Sequence, residues 1–299
     1  MTLPWTPTRL GDLTGKRVIV TGATNGVGLG TSRALAQAGA HVILAVRNTQ
    51  LGEQRAAEIS EIGGATTVAK LDLADLSSVR AFADLIDGRV DILINNAGTL
   101  TNRRTDTVDG FEMTLGTNLL GPFALTNLLL PRVRSQIINV GSHAHRSAKL
   151  RLDDMHLRTT KWTMMGSYAR SKLGVMLWGL ELDRRLRAAN SPVVSQLTHP
   201  GWVASNLSSI SDKPLMAAAD KAVRKVANVV ANDIDAGAAS TLYCISEPVP
   251  PGSYIGYDGP LGLSGPLVML GRTALAGDYD AAARLFEFAE KETGTALPV

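Results

Sequence analysis

The sequence predicts an α/β protein on one doubly wound parallel sheet, with helices on both faces. Three observations predict it. Short β-branched runs alternate with helix-period segments over roughly 200 residues. The runs, such as Val42-Ile-Leu-Ala-Val46, are apolar throughout, as strands covered on both faces are. The first run breaks into a glycine-rich turn that opens a helix, Thr21-Gly-Ala-Thr-Asn-Gly-Val-Gly28.

The elements follow in order. Val18 to Val20 forms the first strand. A helix begins near Val27 and carries Leu29, Ala34, Leu35 and Ala38 to Gly39. His41 to Val46 is the second strand, ending at Arg47-Asn48, and a helix through Leu51, Ala56, Ile59 and Ile62 stops at Gly63-Gly64. Thr66 to Leu71 is the third strand and meets Asp72. Ser77 to Ile86 is helical, with Ser77 or Asp75 as its cap. Asp91 to Asn95 is the fourth strand, broken by Asn95-Asn-Ala-Gly98. Phe111 to Val133 has helical pattern, read as two helices meeting near Gly121-Pro122. Ser135 to Val140, the long helix Ser167 to Ala189, and Val193 to Thr198 complete the alternation. Tyr254 to Pro266 and Asp278 to Thr293 add a last strand and a closing helix near the pocket. With no repeat, low-complexity segment or linker, residues 1–299 are read as a single domain whose core runs from about 14 to 290.

Bulk properties exclude several function classes. The apolar fraction is 45% and the formal charge only +3, with basic residues scattered, so nucleic-acid binding has no support. The one cysteine, Cys244, cannot form an internal disulfide and suits a reducing, cytoplasmic setting. Met1-Thr-Leu-Pro-Trp-Thr-Pro7 has no apolar h-region, and Leu119 to Leu130 is too short to span a bilayer.

Chemistry concentrates beyond the carboxyl ends of the strands. Gly22 permits a tight turn, while Gly26 and Gly28 let a phosphate approach the main chain at a helix N-terminus. The G-x-x-x-G-x-G spacing differs from the usual G-x-G-x-x-G. Two long departures from the alternation, 143–166 and 200–232, are read as a pocket insertion and a lid. The Met and Trp162 content of the first and the amphipathic Leu215 to Val230 of the second point to an oily pocket. Tyr168-Ala-Arg-Ser-Lys172 sets a phenol and an ammonium on one helix face. A cation about 4 Å away would lower the phenol's pKa of ~10 and fit it for proton transfer at a carbonyl or alcohol oxygen.

With those motifs in place, the chain resembles the short-chain dehydrogenase/reductase family, most closely its retinol dehydrogenase and protochlorophyllide reductase-like branch. The resemblance rests on Thr21 to Gly28, Asp72-Leu73, Asn95-Asn-Ala-Gly98, Asn118, Ser142, Tyr168 to Lys172 and His199-Pro-Gly201, in family order. Leu71-Asp-Leu-Ala-Asp-Leu-Ser-Ser-Val-Arg80 with Asp109-Gly-Phe-Glu112 points to the branch. It implies a Rossmann-like fold and Tyr168 as acid/base. Lys172 would lower the Tyr168 pKa and bind the nicotinamide ribose, Ser142 would orient the substrate oxygen, and Asn118 would hold a water linking Lys172 to solvent. Gly141 stands where the family often has a second serine, which leaves Ser142 as the hydroxyl at this edge. The same resemblance assigns the cofactor to Gly22, Thr24, Asn25, Gly26, Val27, Gly28, Arg47, Asn48, Asp72, Leu73, Asn95, Ala97, Gly98, Pro200, Gly201 and Val203. Asp72 would meet the adenine edge and Asn95 the adenosine side. His143, His145 and His199 lack metal spacing and are given structural roles, with His143 and His145 bordering the pocket.

The second strand ends in Arg47-Asn48, with no carboxylate to grip the ribose hydroxyls, so NADP(H) is expected over NAD(H). The leading expectation is a reductase or dehydrogenase for a lipophilic carbonyl or alcohol of retinoid, steroid or long-chain type. The alternatives are a non-catalytic NADP-binding sensor or scaffold, or a nucleotide-sugar epimerase or dehydratase. The resemblance also implies a homodimer or homotetramer formed through the helices holding Phe123 to Leu130 and Leu173 to Leu186. No metal and no membrane span are expected.

Overall fold

The computed structural model describes residues 5–201, 234–262 and 264–299. Eight strands form one sheet in the order β3-β2-β1-β4-β5-β6-β7-β8. They are β1 (Arg17–Thr21), β2 (His41–Val46), β3 (Ala65–Lys70), β4 (Val90–Asn95), β5 (Val133–Val140), β6 (Val194–Thr198), β7 (Tyr254–Tyr257) and β8 (Leu267–Met269). Every pairing is parallel except β7 with β8. The C-terminal segment thus supplies two strands, one more than its pattern indicates. The order reverses between β1 and β4, and that reversal opens a crevice at the strands' carboxyl ends.

The helices are α1 (Gly26–Gln37), α2 (Thr49–Glu61), α3 (Leu76–Leu85), α4 (Met113–Arg132), α5 (Met164–Ala188), α6 (Ile234–Ser246) and α7 (Tyr279–Thr293). Strand residues alternate between two cores. Ile19, Ile43, Leu93 and Ile137 pack with residues of α3, α4, α5 and α7, whereas Val18, Val20, Val42, Leu44, Ile92 and Ile94 pack with residues of α1 and α6. A period of two with both faces covered accounts for the uniformly apolar strands. Asp75, not Ser77, caps α3, accepting from the amides of Ser77 and Ser78.

The expected break at Gly121-Pro122 does not occur. Helical structure continues from Met113 to Arg132 through a π segment, Gly116–Leu120, and resumes at Gly121–Leu129. Pro122 has no N–H to offer the Asn118 carbonyl four residues back. Widening the preceding turn relieves that mismatch without a break. Gly121 is needed for a second reason. A Cβ there would lie 2.2 Å from the Leu73 carbonyl oxygen, so only glycine lets α4 rest on the loop after β3. This stretch is long and apolar enough to cross a membrane, yet its most apolar window is 83% buried within the protein.

α7 packs along α5 and α4 and buries Ala281, Ala282, Leu285, Phe286 and Ala289, and its Glu292 meets His156 of the insertion at 3.0 Å. Phe286 meets Phe123 edge-on at 4.8 Å between centroids, and the Arg185 guanidinium lies 3.9 Å from its ring centroid. The faces of Phe123 to Leu130 and Leu173 to Leu186 are therefore covered by the chain's own C-terminus. Below α7, Glu181 is fully buried and bound by Arg184 (2.6 Å) and Arg185 (2.8 Å).

Candidate active site

The glycine turn sits at the crevice between β1 and β4. Gly22 has φ +68°, and a Cβ on it would come within 2.9 Å of the Ala97 Cα. Gly26, with φ +53°, starts α1. Gly28 is required by packing within the turn. A Cβ there would lie 2.4 Å from both the Asn96 amide nitrogen and the Gly22 oxygen, so its bare Cα lets the helix pack on the turn. Asn96 donates to the Thr21 carbonyl (2.8 Å), and the Thr21 hydroxyl accepts from the amides of Asn96 and Ala97 (both 3.0 Å). These bonds join the ends of β1 and β4. No side chain caps α1, and its first turn contains no acid, so its leading amides remain available to an anion.

Asn95 does not line this crevice. Its amide donates to Thr126 and Asn139 (both 2.9 Å) inside the core. Asn96 is the asparagine at the turn, a residue that sequence reasoning passed over. Successive strand residues point to opposite faces, but β4 is buried on both, so its pattern carries no sign of which asparagine faces out. Asn48 caps α2, accepting from the Leu51 amide at 3.0 Å. Arg47 beside it is exposed, and its guanidinium has no partner among the described residues. Its carbonyl accepts from Lys70 at 2.7 Å. Asp72 closes a small turn onto the Ala74 amide (3.0 Å), and Leu73 is buried under α4. Thr24 and Asn25 form the exposed crest of the glycine turn, followed by Val27. Pro200 and Gly201, the latter at φ +73°, end the described part of the lid region. Val203 and the segment Leu215 to Val230 lie outside the described residues.

The reacting groups converge one strand over. Helix α5 starts at a Thr163 cap and brings Tyr168 and Lys172 under the end of β5. Lys172 is 4% exposed, and its ammonium donates to the Val140 carbonyl at 2.8 Å. Burial pulls its pKa down to about 8. The Tyr168 hydroxyl faces Ser142, and the Lys172 ammonium is 5.8 Å from the phenol ring centroid. The tyrosine's pKa is raised, because burial of the hydroxyl outweighs the Ser142 hydrogen bond that draws it down. Burial of the hydroxyl sets this direction, while the Lys172 ammonium is held at the Val140 carbonyl. Ser142 accepts from the Ala144 amide (3.2 Å) as the cap of a short 3-10 turn.

Asn118 lies in the π segment and is 2% exposed. Its side chain accepts from the Thr99 amide (2.7 Å) and donates to the Thr99 carbonyl (3.0 Å) and to Ser171 (2.9 Å). A Cβ on Gly98 would stand 3.4 Å from the Asn118 oxygen and 3.7 Å from the Lys172 ammonium, so these three residues share one corner. The side chain is a brace between α4, α5 and the β4 loop.

Three histidines flank Ser142. His143 stacks on His199 at 4.0 Å between centroids. His145 is buried, with Nδ1 2.6 Å from the Ser142 carbonyl. Burial and the neighbouring imidazoles hold His199 at about 3 and His145 below its ordinary value, so both are neutral at pH 7. The stack joins residues 56 positions apart in the chain, and no local pattern announces it. The insertion's Met and Trp divide between core and surface, with Met165 exposed. Met155 is core, and Trp162 donates to Glu112 at 3.2 Å. Arg104, Arg158, Lys161 and Trp162 border an open cavity of about 730 Å³.

The family model for short chain dehydrogenases matches residues 16–214. This chain belongs to that family. Within it, the chain is 42% identical over 202 residues to human retinol dehydrogenase 13, an alignment covering 64% of this chain and 60% of the relative. It is 42% identical to human retinol dehydrogenase 11 over 66% and 64% of the two chains, and 39% identical to mouse polyprenol dehydrogenase over 64% and 61%. The chain spans about 60% of the length of the curated relatives it matches, and it falls in the retinol dehydrogenase-like branch. Among solved structures, an uncharacterised protein from Mycobacterium paratuberculosis matches with a TM-score of 0.85 and 39% identity, over 99% of this chain and 100% of that one. A gluconate 5-dehydrogenase from Beutenbergia cavernae with bound NADP shares the fold at 24% identity and a TM-score of 0.59, over 78% and 90% of the chains.

Proposed function

We propose that this dehydrogenase interconverts a carbonyl and an alcohol on a lipophilic substrate with NADP(H), using Tyr168 as the acid/base. The observation that carries this reading is the Tyr168 hydroxyl facing Ser142 beside the buried Lys172, at the edge where the uncapped α1 begins. The cofactor supplies or accepts the hydride when bound.

The residues present fit a dinucleotide. The leading amides of α1 suit its diphosphate, and Arg47, exposed and with no partner for its guanidinium among the described residues, suits a 2′-phosphate. In the reductive direction Tyr168 gives its proton to the substrate oxygen as negative charge builds there, and Ser142 donates to the same oxygen. A phenol whose pKa is raised by burial stays protonated at pH 7 and is loaded for that step. Lys172 keeps a positive charge beneath the tyrosine up to about pH 8, which favours the phenolate left behind. The names of the relatives, retinol and polyprenol dehydrogenases, support a long apolar alcohol or aldehyde as substrate class.

Tyr168→Phe tests the reading. A panel of retinoid and long-chain aldehydes is followed by NADPH absorbance. The variant should lose turnover by about a hundredfold or more, the scale of a lost general acid, while NADPH affinity stays within about twofold. Turnover at the wild-type rate would remove Tyr168 from the chemistry.

A further inference from the structure

The crest of the glycine turn is held from outside by a group that belongs to neither the turn nor the reacting residues. Arg55, on α2, donates from Nε to the Thr24 carbonyl at 3.1 Å. Its Nη1 is bonded to Glu58, and the other oxygen of Glu58 takes Arg33 of α1 at 2.7 Å. The carboxylate thus ties α1 and α2 together and leaves the Arg55 Nε edge directed at the turn. Gly52 makes this reach possible. A Cβ there would press to 2.8 Å on both Val46 and Val68, so glycine lets α2 settle on the sheet three residues before Arg55.

The consequence follows from peptide geometry. The Thr24–Asn25 bond is trans, and in a planar trans peptide the C=O and the next N–H point in opposite directions. Fixing the Thr24 oxygen on α2 therefore aims the Asn25 N–H away from α2. That N–H has no acceptor among the described residues, and Asn25 is extended (φ −149°, ψ 165°) with its side chain turned back to Thr24 Oγ1 at 3.3 Å.

We infer that Arg55, oriented by Glu58, is a positioning residue that presets the Thr24–Asn25 peptide to donate to the bound dinucleotide. This deepens the proposed function and rests on the glycine turn being its dinucleotide site. A preset amide spares the ligand the cost of ordering the turn. Arg55 acts on the main chain, so it strengthens binding without choosing between cofactors. The 2′-phosphate falls to Arg47, at the end of β2.

Calorimetric titration of NADPH and NADH into wild type, Arg55→Gln and Glu58→Gln tests this. Arg55→Gln should weaken both nucleotides by about tenfold, the scale of one charge-assisted hydrogen bond, and leave their affinity ratio unchanged. Glu58→Gln should weaken both by a smaller common factor. The melting temperature of each ligand-free variant should stay within about 3 °C of wild type, since a half-exposed brace contributes little to global stability. Unchanged affinities in Arg55→Gln would overturn the inference. A selective loss of NADPH would overturn it too, by showing that Arg55 meets the 2′-phosphate itself. If wild type binds neither nucleotide, the dinucleotide reading fails first and takes this inference with it.

Discussion

Replacing Lys172 with methionine separates the cost of a buried charge from its use. The side chain is 4% exposed and bonded to one carbonyl, and its pKa falls from 10.5 to about 8 on folding. Between those values the unfolded chain holds a proton that the folded chain has released, so stability rises with pH across the interval. Below pH 8 the full penalty applies, about 3 kcal/mol at ~1.4 kcal/mol per pK unit. Methionine has similar reach and no charge, so it removes the penalty but leaves the Val140 carbonyl without its donor, a loss of about 1–3 kcal/mol. At pH 7 the two nearly offset. The pH dependence does not offset, because methionine does not titrate. Urea unfolding of both proteins at pH 7 and pH 10 should show wild type gaining roughly 2–3 kcal/mol relative to the variant at the higher pH. Other ionisations are common to both proteins and cancel in the difference. A difference that stays constant between the two pH values would refute the argument, since it would mean that Lys172 folds with its ordinary pKa.

Two further outcomes follow from the same geometry. Arg47→Asp should shift the ratio of NADPH to NADH affinity toward NADH by about tenfold to a hundredfold, the scale of a phosphate–guanidinium pair, and equal wild-type affinities would exclude NADP(H) selectivity. Phe286→Ala should destabilise the fold by about 3–5 kcal/mol, because the ring is fully buried between Phe123 and Arg185.

Much of this molecule is legible in its residues one after another. The alternation of apolar runs with helical segments determines a doubly wound parallel sheet, because strands covered on both faces have no polar side to show. The glycine turn, Tyr168, Lys172 and Ser142 are equally readable, since each lies at the end of a strand or on one face of one helix. What tertiary structure decided is how those groups are used. Whether Asn95 or Asn96 faces the crevice depends on which side of β4 meets Thr126 and Asn139, residues far along the chain. The direction of the Tyr168 pKa shift depends on burial, which is not a property of the spacing Y-x-x-x-K. The Gly121-Pro122 pair looks like a helix break until Leu73 supplies the surface that the glycine rests on. The covering of α4 and α5 by α7 was hidden for the same reason. An amphipathic helix states that it will bury one face, and only the folded chain shows against what.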